Sequence, residues 1–124
     1  MFLGLEHVAI ATPNPARLAQ WYVDHLGFRI ILERDGKYFI RAANGSVVEF
    51  VHGAGSAPPP NPTDPGIRHL AIEVTDFNGC YASLRDRGVK FLGEPFVDQG
   101  NRLVFFTDAE GNIAHLIYRK TPLP

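Results

Sequence analysis

The segment LEHVAIATPN, Leu5 to Asn14, returns as IRHLAIEVTD at Ile67 to Asp76. His7 falls on His69, Ala9 on Ala71, Ile10 on Ile72 and Asn14 on Asp76, an offset of 62. A repeat of this kind means that one supersecondary unit is used more than once. In a chain of 124 residues there is room for two such units and a short connection.

Each copy is followed by the signals of an amphipathic helix. In the first, Asn14 is a good N-cap and Pro15 a good first helical residue. Leu18, Trp21, Tyr22 and Leu26 then mark one face at helical spacing, and Gly27 supplies a left-handed stop. In the second, Asp76 caps, Phe77, Cys80, Tyr81 and Leu84 form the face, and Gly88 stops the helix. Three strand-like runs follow each helix: FRIILER, KYFIRA and SVVEFVH after Gly27, then VKFLGEPF, RLVFFTD and NIAHLIYR after Gly88. Turns are expected at Asp35-Gly36, Asn44-Gly45, Gln99-Gly100 and Glu110-Gly111. Late in the repeat Gly45 matches Gly111 and Glu49 matches His115, both at an offset of 66, which puts four extra residues in the hairpins of the second half.

Between the halves lies GAGSAPPPNPTDPG, Gly53 to Gly66, whose prolines and glycines exclude a helix or a central strand. The expected organisation is one α+β domain over residues 1–124, built as a βαβββ module (1–52), a linker (53–66) and a second βαβββ module (67–124).

Composition narrows the function. A hydrophobic share of 45% and a charged share of 20% suit a globular domain with a real core. A net charge of −1 with scattered basic residues gives no footprint for nucleic acid or an acidic membrane surface. Cys80 is the single cysteine, which excludes an internal disulfide and a thiolate zinc cluster. The N-terminus has no basic leader and no apolar run reaches spanning length, so a cytoplasmic location is expected.

Strand alternation sorts the polar residues. His69, Ala71 and Glu73 share one face, while Leu70, Ile72 and Val74 form an apolar face suited to a helix. By the same rule His7 lies with Ala9, Glu49 with Val47 and Val51, and His115 with Ile113 and Ile117, all turned from the helices. A lone histidine on a strand face is more often structural than a ligand. Here four candidates occupy duplicate-related positions: His7 and Glu49 in one half, His69 and His115 in the other. Three imidazoles and one carboxylate suit a divalent transition metal. His25 and His52 have no such partners and read as surface residues.

LEHVAI, WYVDHLGF, VVEF, IRHLAIEV and DAEGNIAHLIY resemble the vicinal oxygen chelate superfamily. That group includes glyoxalase I, fosfomycin-resistance thiol transferases, methylmalonyl-CoA epimerases, extradiol dioxygenases and the metal-free bleomycin-resistance proteins. The resemblance covers nearly the whole chain. It implies a cupped eight-stranded mixed sheet with the helices on its outer face, and one divalent metal (Zn, Ni, Co, Mn or Fe) per site. His7, Glu49 and His69 fall on the family's ligand positions, and His115 stands where glyoxalase I usually has a glutamate. Small two-module members commonly dimerise, which implies a homodimer with His7 and Glu49 from one chain and His69 and His115 from the other.

The activity so implied is that of a glyoxalase-I-like lyase or isomerase on a small substrate chelated through vicinal oxygens, with Glu49 as general base. An extradiol-type dioxygenase and a non-catalytic resistance protein are the alternatives. Arg41 and Arg102 are candidates to hold an anionic substrate group, and Glu73 is a second carboxylate near the rim.

Overall fold

The computed structural model describes residues 1–55 and 61–124, so residues 56–60 of the expected linker lie outside the described residues. By its contacts the chain divides into two compact units, Met1–Ser56 and Ala57–Pro124. The first folds as β1 (Val8–Thr12), α1 (Pro15–Leu26), β2 (Arg29–Arg34), β3 (Lys37–Arg41) and β4 (Val47–His52). The second folds as β5 (Leu70–Glu73), α2 (Phe77–Asp86), β6 (Phe96–Asp98), β7 (Asn101–Thr107) and β8 (Ile113–Tyr118). The two βαβββ modules of the sequence reading are therefore present. Hydrogen bonding groups their strands as two open four-stranded mixed sheets, ordered β1-β4-β3-β2 and β5-β8-β7-β6. In each, the strand before the helix pairs in parallel with the last strand, and the other pairs are antiparallel.

Local signals act as expected at the helices. The Asn14 side chain accepts the Arg17 backbone N–H and Pro15 opens α1, while Gly27 stops it at a φ of 73°. Leu18, Ala19 and Tyr22 are buried, and the Tyr22 ring packs against Phe28 and Phe50. Asp76 accepts the Gly79 N–H at the start of α2. Phe77 and Leu84 are buried, and Tyr81 meets Phe91, which in turn meets the buried Phe106. Cys80 lies half-buried on this helix; burial, with the Asp76 charge adding to it, pushes its thiol up, so it remains a protonated packing residue.

Two different turns recur in both modules. Asp35-Gly36 and Gln99-Gly100 both place two consecutive residues at positive φ (53° and 77°, 51° and 83°), as a two-residue hairpin of primed type requires. The loops before β4 and β8 share a second pattern. Ala42 N–H bonds to Ser46 O and Gly45 N–H to Ala42 O, as Asp108 N–H bonds to Asn112 O and Gly111 N–H to Asp108 O.

One expected strand is largely missing. Of VKFLGEPF, the residues up to Pro95 form no strand beyond an isolated bridge of Phe91 to Phe106, and β6 begins at Phe96. Pro95 has no N–H to give to a ladder and Gly93 adds no side chain to pack, so the edge breaks between them. The extra length of the second module lies mainly here, with the rest in β7, which has seven residues against five in β3.

Candidate metal centre

In the first module β4 is the inner strand beneath the candidate ligands. Its register sets Ala9 on one side of Glu49 and Phe39 on the other. Val48 and Phe50, on the opposite face, are buried beneath α1. His7 comes one pleat before Ala9, so its side chain shares the face of Glu49. The two meet: His7 Nε2 lies 3.3 Å from Glu49 Oε1. On the ring's other side, His7 Nδ1–H donates to Glu6 Oε1 at 3.0 Å. Each ring nitrogen of His7 therefore faces a carboxylate oxygen, and Nε2 and Oε1 are close enough to share either a proton or a metal ion.

The second module repeats the register. Ala71 and Phe105 flank His115 on β8, as Ala9 and Phe39 flank Glu49. Here β8 is buried on both faces, with His115 only 5% exposed. The DAEGN turn sets the start of this strand. Buried Asp108 accepts the N–H groups of Glu110 (2.9 Å) and Asn112 (3.0 Å) on Oδ1 and the Asn112 side-chain amide (2.8 Å) on Oδ2. His69 stands one pleat before Ala71, and its ring centroid is 4.6 Å from that of His115.

The His115 Nδ1–H donates to the Leu116 carbonyl at 3.2 Å, which fixes the tautomer that leaves Nε2 as an electron-pair donor. Burial holds the His115 pKa below its ordinary value of 6.5; the Leu116 carbonyl opposes this, while His69 and Arg119 add to it. The buried neutral ring therefore favours folding above the ordinary value, and this contribution is lost as pH falls below it, because the unfolded chain then takes up the proton more readily. Urea titrations of metal-free protein should show a midpoint that drops from about pH 7.5 to about pH 5.5 and drops less in His115→Gln. Equal slopes in the two proteins would remove His115 as the source.

Each module thus gathers two of the four residues, and among the described residues no three His, Cys, Asp or Glu side chains cluster. The donor chemistry of the pairs fits a divalent transition metal. An ion with bonds of about 2.0–2.2 Å in tetrahedral geometry sets its ligands roughly 3.3–3.6 Å apart. The His7–Glu49 separation of 3.3 Å already falls in that range.

Other candidates are distributed differently. Arg41 is exposed on the Glu49 face, where Arg29 lies directly across from it. Glu73 is exposed at the end of β5, paired with Ile117. Arg102 faces the helix side, with its guanidinium 4.7 Å from the Phe77 ring centroid, so it is turned away from His115. Its position follows from alternation, since Val104 and Phe106 on the same face are fully buried. His25 donates Nδ1–H to the Trp21 carbonyl and stacks on the Trp21 ring, while His52 is exposed. Sequence reading missed Phe39 and Phe105. Their signal was available: they are 66 positions apart, as Glu49 and His115 are.

Residues 4–116 match the family model described as the Glyoxalase/Bleomycin resistance protein/Dioxygenase superfamily. The chain belongs to this superfamily. Its members include lactoylglutathione lyases and dioxygenases, bind small molecules and are typically metal-dependent. The chain is 27% identical over 120 residues to biphenyl-2,3-diol 1,2-dioxygenase 3 of Rhodococcus globerulus, covering 90% of this chain and 61% of that protein's length. It is 33% identical over 124 residues to the uncharacterized protein YaeR of Escherichia coli (strain K12), covering 88% of this chain and 93% of the relative. Among solved structures, a glyoxalase family protein from Enterococcus faecalis superposes with a TM-score of 0.78 at 26% identity, over 94% of this chain and 98% of that one. Superfamily membership accounts for the duplicated modules and leaves the reaction to be argued from the site. Among the described residues no helix is long and apolar enough to cross a membrane.

Proposed function

We propose that the protein is a metal-dependent lyase or isomerase of the glyoxalase I kind, acting on a small substrate that chelates the metal through neighbouring oxygens. The observation that carries this reading is the paired donor geometry, with His7 Nε2 and Glu49 Oε1 at 3.3 Å and His69 beside His115 in the same register. The metal (Zn, Ni, Co, Mn or Fe) would be held by His7, Glu49, His69 and His115. A metal site needs three or four protein ligands, and each module supplies two. In a homodimer the His7–Glu49 pair of one copy joins the His69–His115 pair of the other, in keeping with the dimers common in this superfamily.

When bound, the ion supplies Lewis-acid polarisation of the chelated oxygens. Glu49 is the one carboxylate among the four, so it carries the proton. It takes a proton from the carbon beside one chelating oxygen and returns it to the neighbouring carbon, a rearrangement in which no atom is gained or lost. Its side chain is 14% exposed, which limits exchange of that proton with water. His115, with Nδ1–H given to Leu116, has Nε2 left for the metal and orients rather than shuttles. Arg41, with Arg29 opposite, anchors an anionic part of the substrate, and Glu73 sits at the rim.

A second reading, an extradiol-type dioxygenase, draws on the 27% match and on the donor set, since two imidazoles and one carboxylate are a known ligand set for non-haem iron. Protein purified without added metal should contain metal equimolar with chain and convert hemithioacetals to thioesters without oxygen uptake. Oxygen consumption with catechols would replace the isomerase reading by the dioxygenase one. Absence of metal would leave a binding protein.

A further inference from the structure

Phe39 stands directly across from Glu49, and its ring meets the His7 imidazole edge-on, centroids 5.6 Å apart at 72°. In the second module Phe105 stands directly across from His115 and meets His69 edge-on at 5.7 Å and 88°. Phe105 also meets His115 itself, at 5.0 Å and 67°. In each module the histidine immediately precedes one strand flanking β4 or β8, and the phenylalanine lies on the other. Those strands are about 10 Å apart, two interstrand spacings, so the rings meet above the middle strand. Beside them on the middle strand stand Glu49, with Oε1 3.3 Å from His7 Nε2, and His115, whose ring centroid is 4.6 Å from that of His69.

The contact is therefore made twice, at one register, over two middle residues of different chemistry. Packing alone would be satisfied by any apolar side chain of similar volume. An aromatic ring does something more, because its positive edge and negative face favour particular inter-ring angles. Phe105 is itself held: Phe96 of β6 stacks on it at 6.3 Å and 7°.

Resting on the metal reading above, we infer that Phe39 and Phe105 are positioning residues for the metal ligands. Each ring holds its histidine in the plane that keeps the donor nitrogen aimed at the ion. Phe105 acts on both histidines of its pair and Phe39 on one, so Phe105 has the larger effect.

The test compares Phe105→Leu, which keeps apolar bulk, with Phe105→Tyr, which keeps the ring. Phe39→Leu examines the other module, and Phe106→Leu, on the buried helix-facing side, reports plain loss of packing. Co²⁺ affinity is read by chelator competition, and side-chain ¹⁵N NMR of metal-free protein reads which nitrogen of His115 carries the proton. Phe105→Leu should weaken Co²⁺ binding about 10–100-fold and turn the single Nδ1–H form of His115 into a mixture, with Phe105→Tyr within roughly threefold of the parent. Phe39→Leu should weaken binding less, and Phe106→Leu should lower thermal stability while leaving affinity in place. Parent protein that takes up no Co²⁺ overturns both the metal reading and this inference. Uptake by the parent with unchanged affinity and tautomer in Phe105→Leu overturns this inference alone.

Discussion

Glu49→Gln is expected to keep its metal and lose turnover by about 10²–10⁴-fold, the usual worth of a positioned general base. Gln retains the shape of the carboxylate and a carbonyl oxygen that can stay near His7 Nε2, but it cannot carry a proton between carbons. The three imidazoles remain, so occupancy should survive with weaker affinity. Because the missing interaction belongs to the transition state, kcat should fall far more than KM changes. Full activity in this variant would remove Glu49 as the base, and metal loss in parallel with activity would reduce it to a ligand. A hemithioacetal assay on metal-replete protein, with metal content measured on the same sample, separates these outcomes.

Stripping the metal should cost the fold about 4 kcal/mol relative to protein held at roughly a thousand times the metal's Kd. For a domain of this size that corresponds to a melting point lower by about 15 °C, on the order of 4 °C per kcal/mol. The gain on loading comes from filling the space between donors that already face each other, as at His7 and Glu49. His115→Ala should shrink the difference between loaded and stripped protein, leaving the weaker hold of His7, Glu49 and His69, whatever it does to the stripped form. If the two pairs of ligands come from two chains, the shift must also grow with chain concentration, since metal then binds the dimer alone. A shift independent of concentration would return the site to one chain, and no shift with Zn, Ni, Co, Mn or Fe would defeat the metal reading.

Local chemistry made much of the molecule legible before folding was considered. Asn14 and Asp76 as caps, Gly27 as a stop and the Asp35-Gly36 and Gln99-Gly100 turns depend on a few adjacent residues, and all act as expected. Alternation turns Val48 and Phe50 to the buried helix side of β4, whereas β8 is buried on both faces and Ile113, His115 and Ile117 are covered as well. The same alternation placed His7, Glu49, His69 and His115 on one side of their strands. One strand expectation failed on a break carried by the run itself. VKFLGEPF has strand composition, yet Gly93 and Pro95 break its ladder and leave a three-residue β6. Arg102, a candidate anion holder, stands on the helix side against Phe77, as alternation with Val104 and Phe106 implies.

By itself, then, the sequence determined the duplication and the modules and singled out four candidate ligands, because each follows from short-range spacing repeated twice. Tertiary structure alone decided that Ala9 and Phe39 bracket Glu49 while Ala71 and Phe105 bracket His115. Pairing between distant strands depends on how whole faces pack, and a shift of one residue would have sent every candidate ligand to the helix side.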